Sequence, residues 1–170
     1  MNSLERQKLK EVVLYILNIT GGLDYYRVFK VLYFAEKEHL KLYGTRIVAD
    51  NFAALPYGPV PSVLYDAVKA NLYTDVITRA GDDASMVLLP KRDFNSDYLS
   101  QSDILCLNRS IQENAKLSFS EMMEKSHDTA WQKARHCGFI SLVEMARAAG
   151  ASEEMLDYIE EQSQIEDSLS

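Results

Sequence analysis

A chain of 170 residues, 47% hydrophobic and 25% charged, has room for one domain with a sizeable core but not for two, and its composition is neither disordered nor fibrous. No uninterrupted apolar run approaches membrane-spanning length, and the N-terminus lacks a secretory pattern. Val12 to Ile19 is short, follows charged residues and contains Asn18, so a soluble, cytoplasmic protein with no membrane partner is expected.

The net charge of −7 is uneven. From Ala151 onward there are seven acids (Glu153, Glu154, Asp157, Glu160, Glu161, Glu166 and Asp167) and no Lys or Arg. Removing those seven from the chain's 25 acids leaves 18, which balance the 18 basic residues. Such a segment either solvates a helix face or attracts a basic partner, and neither reading favours nucleic acid. Cys106 and Cys137 are isolated thiols without a CxxC partner, which fits a reducing compartment and no disulfide framework. The sequons at Asn18 and Asn108 are then chance matches. Ten tyrosines can pack a ring inside while keeping a hydroxyl wet.

In chain order, Ser3 to Thr20 reads as a first helix. Leu9, Val12, Val13, Ile16 and Leu17 form its apolar stripe, Asn2 and Glu5 a capping pair, and Gly21-Gly22 its stop. Asp24 caps a second helix reaching about Tyr43 and ended by Gly44, with Tyr25, Val28, Leu32, Ala35 and Leu42 inward. So short a turn predicts that the two helices pack antiparallel. Arg46 to Leu55 reads as extended.

Leu55-Pro56-Tyr57-Gly58-Pro59-Val60-Pro61 is then the stiffest stretch in the chain, because each proline fixes its own φ and restricts the residue before it. Pro61 suits the first position of a third helix over Ser62 to Leu72, with Leu64, Tyr65 and Val68 inward. Asp75–Arg79 and Ser85–Leu89 flank the polar tip Gly81-Asp82-Asp83 as a hairpin or wing. The spacings Ser100/Asp103, Ser118/Glu121 and Ser141/Glu144 open helices near 101–116, 119–125 and 142–149, a short helix surrounds Trp131, and Ser152 caps the last. The expected architecture is a mainly helical α+β single domain over residues 1–162 with a two- to three-stranded sheet or wing, and an acidic frayed tail over 163–170.

Motifs that carry chemistry are scarce. There is no Walker loop and no GxGxxG. His39, His127 and His136 have no second metal ligand at helical spacing, and the adjacent His136 and Cys137 diverge, so neither metal nor cofactor is expected. Ser126-His127-Asp128 has the letters of a triad, but consecutive residues cannot adopt triad geometry, and a helix cap before Trp131 is the better reading. His39 is read as a half-buried histidine bonded to backbone. The order of elements also suits a winged-helix regulator. The candidate reading helix, however, offers only Lys69, offset by Asp66, and the wing tip is acidic.

Lys30-Val-Leu-Tyr33-Phe-Ala-Glu-Lys-Glu-His39-Leu40, Tyr43-Gly44, Ala53 through Pro61, and Tyr65-Asp66 together resemble the Panacea domain of SocA-like, phage-associated antitoxins. Ser126-His127-Asp128-Thr129-Ala130-Trp131 is similar to that family's C-terminal segment, with Thr129 where a proline is frequent. The resemblance covers roughly residues 8–135. It implies a bacterial antitoxin, not an enzyme, that neutralises a cognate toxin by direct protein contact, and it leaves the toxin and the oligomeric state unnamed. The alternatives are a winged-helix-like transcriptional regulator and, lowest, a small hydrolase around His39. Tyr33, His39, Tyr57 and Tyr65 lie in the matched segments as candidate partner-binding residues. They are either core or the lining of a groove between the second helix and the proline corner. Gly44, Gly58, Pro59, Pro61 and Trp131 are expected to serve architecture.

Overall fold

The computed structural model describes residues 1–136 and 138–170; Cys137, read above as an isolated thiol, lies outside the described residues. Among the described residues the chain forms α1 (Ser3–Thr20), β1 (Leu23–Asp24), α2 (Tyr25–Tyr43), β2 (Phe52–Leu55), β3 (Gly58–Pro61), α3 (Ser62–Lys69), β4 (Ile77–Ala80) and β5 (Val87–Pro90). After a 3₁₀ turn at Ser96–Tyr98 follow α4 (Gln101–Asn114), α5 (Phe119–Ser126), α6 (Thr129–Ala134), α7 (Leu142–Ala148) and α8 (Glu153–Leu169). The chain is a mainly helical α+β domain with two small antiparallel sheets, ordered β1-β5-β4 and β2-β3.

The helix starts are local chemistry. Asn2 and Glu5 form a reciprocal capping box on α1, with Glu5 N donating to Asn2 Oδ1 at 2.8 Å and Asn2 N to Glu5 Oε2 at 2.9 Å. Asp24 accepts from Arg27 N at α2, Ser100 and Asp103 box α4, and Ser118, Ser141 and Ser152 cap α5, α7 and α8. α3 departs from the pattern. Pro61 occupies its N-cap rather than its first turn and offers no side-chain acceptor. The buried Asp50 supplies one instead, taking the N–H groups of Val63 and Leu64 at 2.9 Å each. This helix ends at Lys69, short of the expected Leu72.

Tertiary packing revises other expectations. α2 packs most extensively on α4, with α7, α5, β1 and β3 also against it, so α4 rather than α1 is its main helical partner. Every residue from Val28 to Glu36 is buried, which makes α2 a central helix rather than an amphipathic one. The expected stripe holds at Val28, Leu32 and Ala35; Tyr25 is half-buried, and Leu42 is 39% exposed near the helix end. Of the extended segment expected from Arg46, only Phe52–Leu55 is a strand. Residues 45–51 form a loop, because side chains from α2 hold their backbone: Glu36 accepts from Ile47 N and Val48 N, and His39 Nδ1 pairs with Thr45 O. Burial pushes the Glu36 carboxyl up to about 8, against these two donors. The wing forms as β4 and β5, and β1 extends it to three strands. α8 stays helical through residues 163–169, where its side chains are mostly exposed.

Gly44 ends α2 at φ +73 and also lies under α8: a Cβ there would stand 2.8 Å from Met155 Sδ and from the Tyr158 ring. Gly21 has nearly the same φ, +76, with nothing near its missing Cβ. Gly21→Ala should therefore cost about 1 kcal/mol for left-handed backbone alone. Gly44→Ala should cost roughly 1–3 kcal/mol more, since α8 must shift. Urea unfolding of the two variants measures the difference, and equal losses would show that α8 does not press on this residue.

Candidate functional site

The proline corner is a β-hairpin. Leu55-Pro56-Tyr57-Gly58 suits a type I turn, with proline second and glycine fourth. The fixed φ of Pro56 excludes the primed turns that usually join strands, and Gly58, at φ +115, supplies the compensating twist. Ala54 N donates to Gly138 O, and Phe52 O accepts from Ile140 N, both at 2.8 Å, so these β2 residues face residues 138–140. Ala53 and Leu55 then face Val60 and Gly58 in the antiparallel register. Pro59 and Pro61 fall on the opposite side of β3, where no partner strand requires an N–H.

Helical side chains hold this hairpin by its carbonyls. Trp131 Nε1 donates to Leu55 O at 2.8 Å, Tyr26 Oη to Tyr57 O at 2.9 Å, and Lys30 Nζ to Pro59 O at 2.9 Å. Lys30 is fully buried, with its ammonium 4.3 Å from the centroid of the Tyr26 ring. Burial lowers its pKa to about 7 and raises that of the Tyr26 hydroxyl to about 12. Gly58 is packed into the same place: a Cβ would lie 2.5 Å from Ser126 Oγ and 2.7 Å from Lys30 Cε.

Asp128 is the second node. It accepts from Tyr33 Oη at 2.8 Å, from Lys37 Nζ at 2.8 Å, and from Trp131 N at 2.9 Å, so one carboxylate caps α6 and ties it to α2. Burial, then the Asp128 charge, pushes the Tyr33 phenol far above its usual range. His127 stacks flat on Trp131, with centroids 3.8 Å apart, and its buried Nε2 has no hydrogen-bond partner among the described residues. Burial first and the Lys30 charge second lower the pKa of this imidazole. Ser126 Oγ donates to Met123 O. None of Ser126, His127 and Asp128 hydrogen-bonds another, so they serve as helix end and cap rather than as a triad.

The candidate residues are not brought together. Tyr33 is enclosed in the core between Asp128 and the ring of Phe52. His39 is fully buried rather than half-buried. Besides Thr45 O, it meets Ser102 Oγ at 2.9 Å and Asp103 Oδ1 at 3.4 Å through Nε2, which docks the α4 capping box on α2. Tyr65 is half-buried on α3, near the Phe29 ring and the Lys69 ammonium. The space expected as a groove between α2 and the hairpin is filled by Lys30 and Tyr26.

Tyr57 alone of the four is well exposed, at 65%, on the tip of the clamped turn. It stands 5.9 Å from Phe119, 46% exposed, which lies 4.5 Å from Tyr26; the three rings form an aromatic ridge. A shallow groove of about 280 Å³ is lined by Ala54, Leu55, Pro56, Trp131, Arg135 and His136. The sequence reading passed over Tyr26, Lys30, Asp128 and Phe119 as site residues. Lys30 and Asp128 stood inside the quoted motifs, and their polar character at otherwise apolar helical or cap positions was the available signal. Among the described residues no three His, Cys, Asp or Glu side chains are placed to hold a metal ion. The Cys106 thiol is buried and pushed up to about 11, which makes it a poor nucleophile.

Gly58→Val combines a β-branched residue at positive φ with a clash against Ser126 and Lys30, and should cost about 3 kcal/mol in urea unfolding. An unchanged stability with lost partner binding would instead make Gly58 a contact residue. The two buried ionisable groups of α2 should also leave opposite marks on stability. Between pH 7 and 10.5 the unfolded chain holds a Lys30 proton that the folded chain has released, so stability rises with pH there. Between pH 4.5 and 8 the folded chain holds the extra Glu36 proton, so stability falls as pH rises. Unfolding midpoints across pH should lose the alkaline rise in Lys30→Met and the fall below neutrality in Glu36→Gln, each at most about 1.4 kcal/mol per pH unit.

Among the described residues no helix is long and apolar enough to cross a membrane. No curated protein and no solved structure matches the chain. A family model does: the antitoxin SocA-like, Panacea domain matches residues 28–132, from the first fully buried residue of α2 to the residue after Trp131. That span contains Lys30, the hairpin and the Asp128 node, and the chain belongs to the SocA-like Panacea family of antitoxins.

Proposed function

We propose that the protein is a bacterial, cytoplasmic antitoxin that neutralises its cognate toxin by direct protein–protein contact and has no catalytic role. The observation that carries this reading is the Tyr57–Phe119–Tyr26 ridge. It is a large aromatic surface on a turn whose carbonyls are tied down from α2 and α6, with Tyr57 and Phe119 inside the family-matched segment and Tyr26 just before it. Rigid aromatic side chains bury large areas at low entropic cost and dominate binding energy where they occur at interfaces. Tyr65, half-buried on α3, is a secondary contact, whereas Tyr33 and His39 support the scaffold from inside.

The internal use of the basic groups around α3 favours a protein partner over DNA. Lys69 lies over the rings of Tyr25 and Tyr65, and Arg79 donates to the carbonyls of Val68 and Lys69 at the end of α3. Neither side chain is disposed to track phosphates, and a gel shift with the protein's own promoter in the absence of toxin should show no retarded band.

Co-expression with the toxin encoded beside it tests the main reading. Tyr57→Ala/Phe119→Ala should keep the wild-type circular dichroism and melting temperature and lose growth rescue, with toxin affinity falling roughly 30-fold or more. Folded double mutants that still rescue growth would move the toxin contact elsewhere. His39→Ala should behave differently and lower stability, because it strips buried partners from Thr45 and Ser102.

A further inference from the structure

α8 belongs to the fold through only part of its length. Leu156 and Ile159 are buried, and beyond Ile159 every residue to the end is exposed apart from the half-buried Ser163. A second row of residues follows the 3,4 spacing of a helical seam: Met155, Tyr158, Gln162, Ile165 and Leu169. It lies about 100° around the helix from the buried pair. Four of its five members are apolar, yet Ile165 is 46% and Leu169 82% exposed. At its inner end the row runs into a shallow groove of about 340 Å³ lined by Tyr43, Ser152, Glu154, Met155 and Tyr158. Met155 packs against the core and, with the Tyr158 ring, lies over Gly44, whereas among the described residues Ile165 and Leu169 take no part in the core, to which α8 gives Leu156 and Ile159.

The charges beside the stripe identify what covers it. Glu154 and Glu161 flank one side in heptad register and Glu166 the other, and no Lys or Arg occurs after residue 150. Among the described residues the ion pairs of the fold include none to an α8 carboxylate. Arg46, which lines the adjoining groove with Glu166, donates to Asn51. A second copy of this chain would bring acid against acid along the seam, which disfavours self-pairing. We propose that the outer stripe of α8 is a docking surface for a basic amphipathic helix of a partner protein, its apolar face on Tyr158, Ile165 and Leu169 and its lysines or arginines against the flanking acids. This surface shares no residue with the Tyr57 ridge and lies outside the family-matched span, so it stands or falls independently of toxin contact at the hairpin.

The probe is a fluorescein-labelled synthetic helix of leucine and lysine with leucines at 3,4 spacing, titrated with the full chain and followed by anisotropy. Wild type should bind, and binding should weaken with added salt. Ile165→Ser/Leu169→Ser should lose roughly tenfold or more in affinity with an unchanged melting temperature. Glu161→Gln/Glu166→Gln should bind more weakly at low salt and with a shallower salt dependence. The control Leu4→Ser/Leu72→Ser, altering two other exposed leucines, should bind as wild type does. Unchanged affinity in Ile165→Ser/Leu169→Ser, equal losses in the control, or equal binding of a leucine–glutamate peptide would each overturn the proposal. Sedimentation showing self-association that disappears in Ile165→Ser/Leu169→Ser would assign the stripe to a second copy and overturn it as well.

Discussion

A helix buried on all sides has no solvent to satisfy its polar side chains, and the rest of this fold is arranged around that constraint. α2 carries Lys30, Tyr33, Glu36 and His39 inside the domain, where an unpaired polar group costs more than a hydrogen bond gains. Each therefore holds a partner outside the helix. Lys30 takes Pro59 O, Tyr33 takes Asp128, Glu36 takes the Ile47 and Val48 amides, and His39 takes Thr45 O and the start of α4. The requirement works in both directions, because the loop at 45–51 and the β2–β3 hairpin have backbone groups that also need partners. α2 thus organises the irregular segments through hydrogen bonds and the helical ones through packing.

This arrangement divides the family-matched segment into two kinds of residue. Most of it is interior: Lys30, Tyr33, Gly58, Pro59, Asp128 and Trp131 hold α2, the hairpin and α6 in one piece. Their shared result is a turn whose tip is displayed while its backbone is held from below. Tyr57 and Phe119 form the outward part, and Tyr26, just before the matched span, joins the two, since its hydroxyl anchors the turn and its ring completes the ridge. Under the toxin contact proposed above, such a division favours binding, because rigidity in the free state reduces the entropy lost on association. α8 lies outside the matched span.

What the sequence by itself determined is what neighbouring residues decide. The ends of α1 and α2, the capping residues at Asn2, Asp24, Ser100 and Ser152, the stop at Gly44 and the wing between residues 77 and 90 were all legible, because an N-cap or a left-handed glycine acts within one turn of helix. The stiffness of Leu55 to Pro61 was legible for the same reason, since prolines restrict their own and adjacent residues. Only the tertiary structure decided which polar residues meet and which aromatic ones show. Lys30 and Pro59 are 29 positions apart, and Tyr33 and Asp128 are 95 apart; nothing local at either end names the other. Asp50 capping α3 in place of Pro61, and α4 rather than α1 becoming the main helical partner of α2, are long-range choices of the same kind. A tyrosine at helical spacing fits equally well in a core or on a surface, and the separation of Tyr33 from Tyr57 came from burial, which is a property of the packed chain and not of the residue.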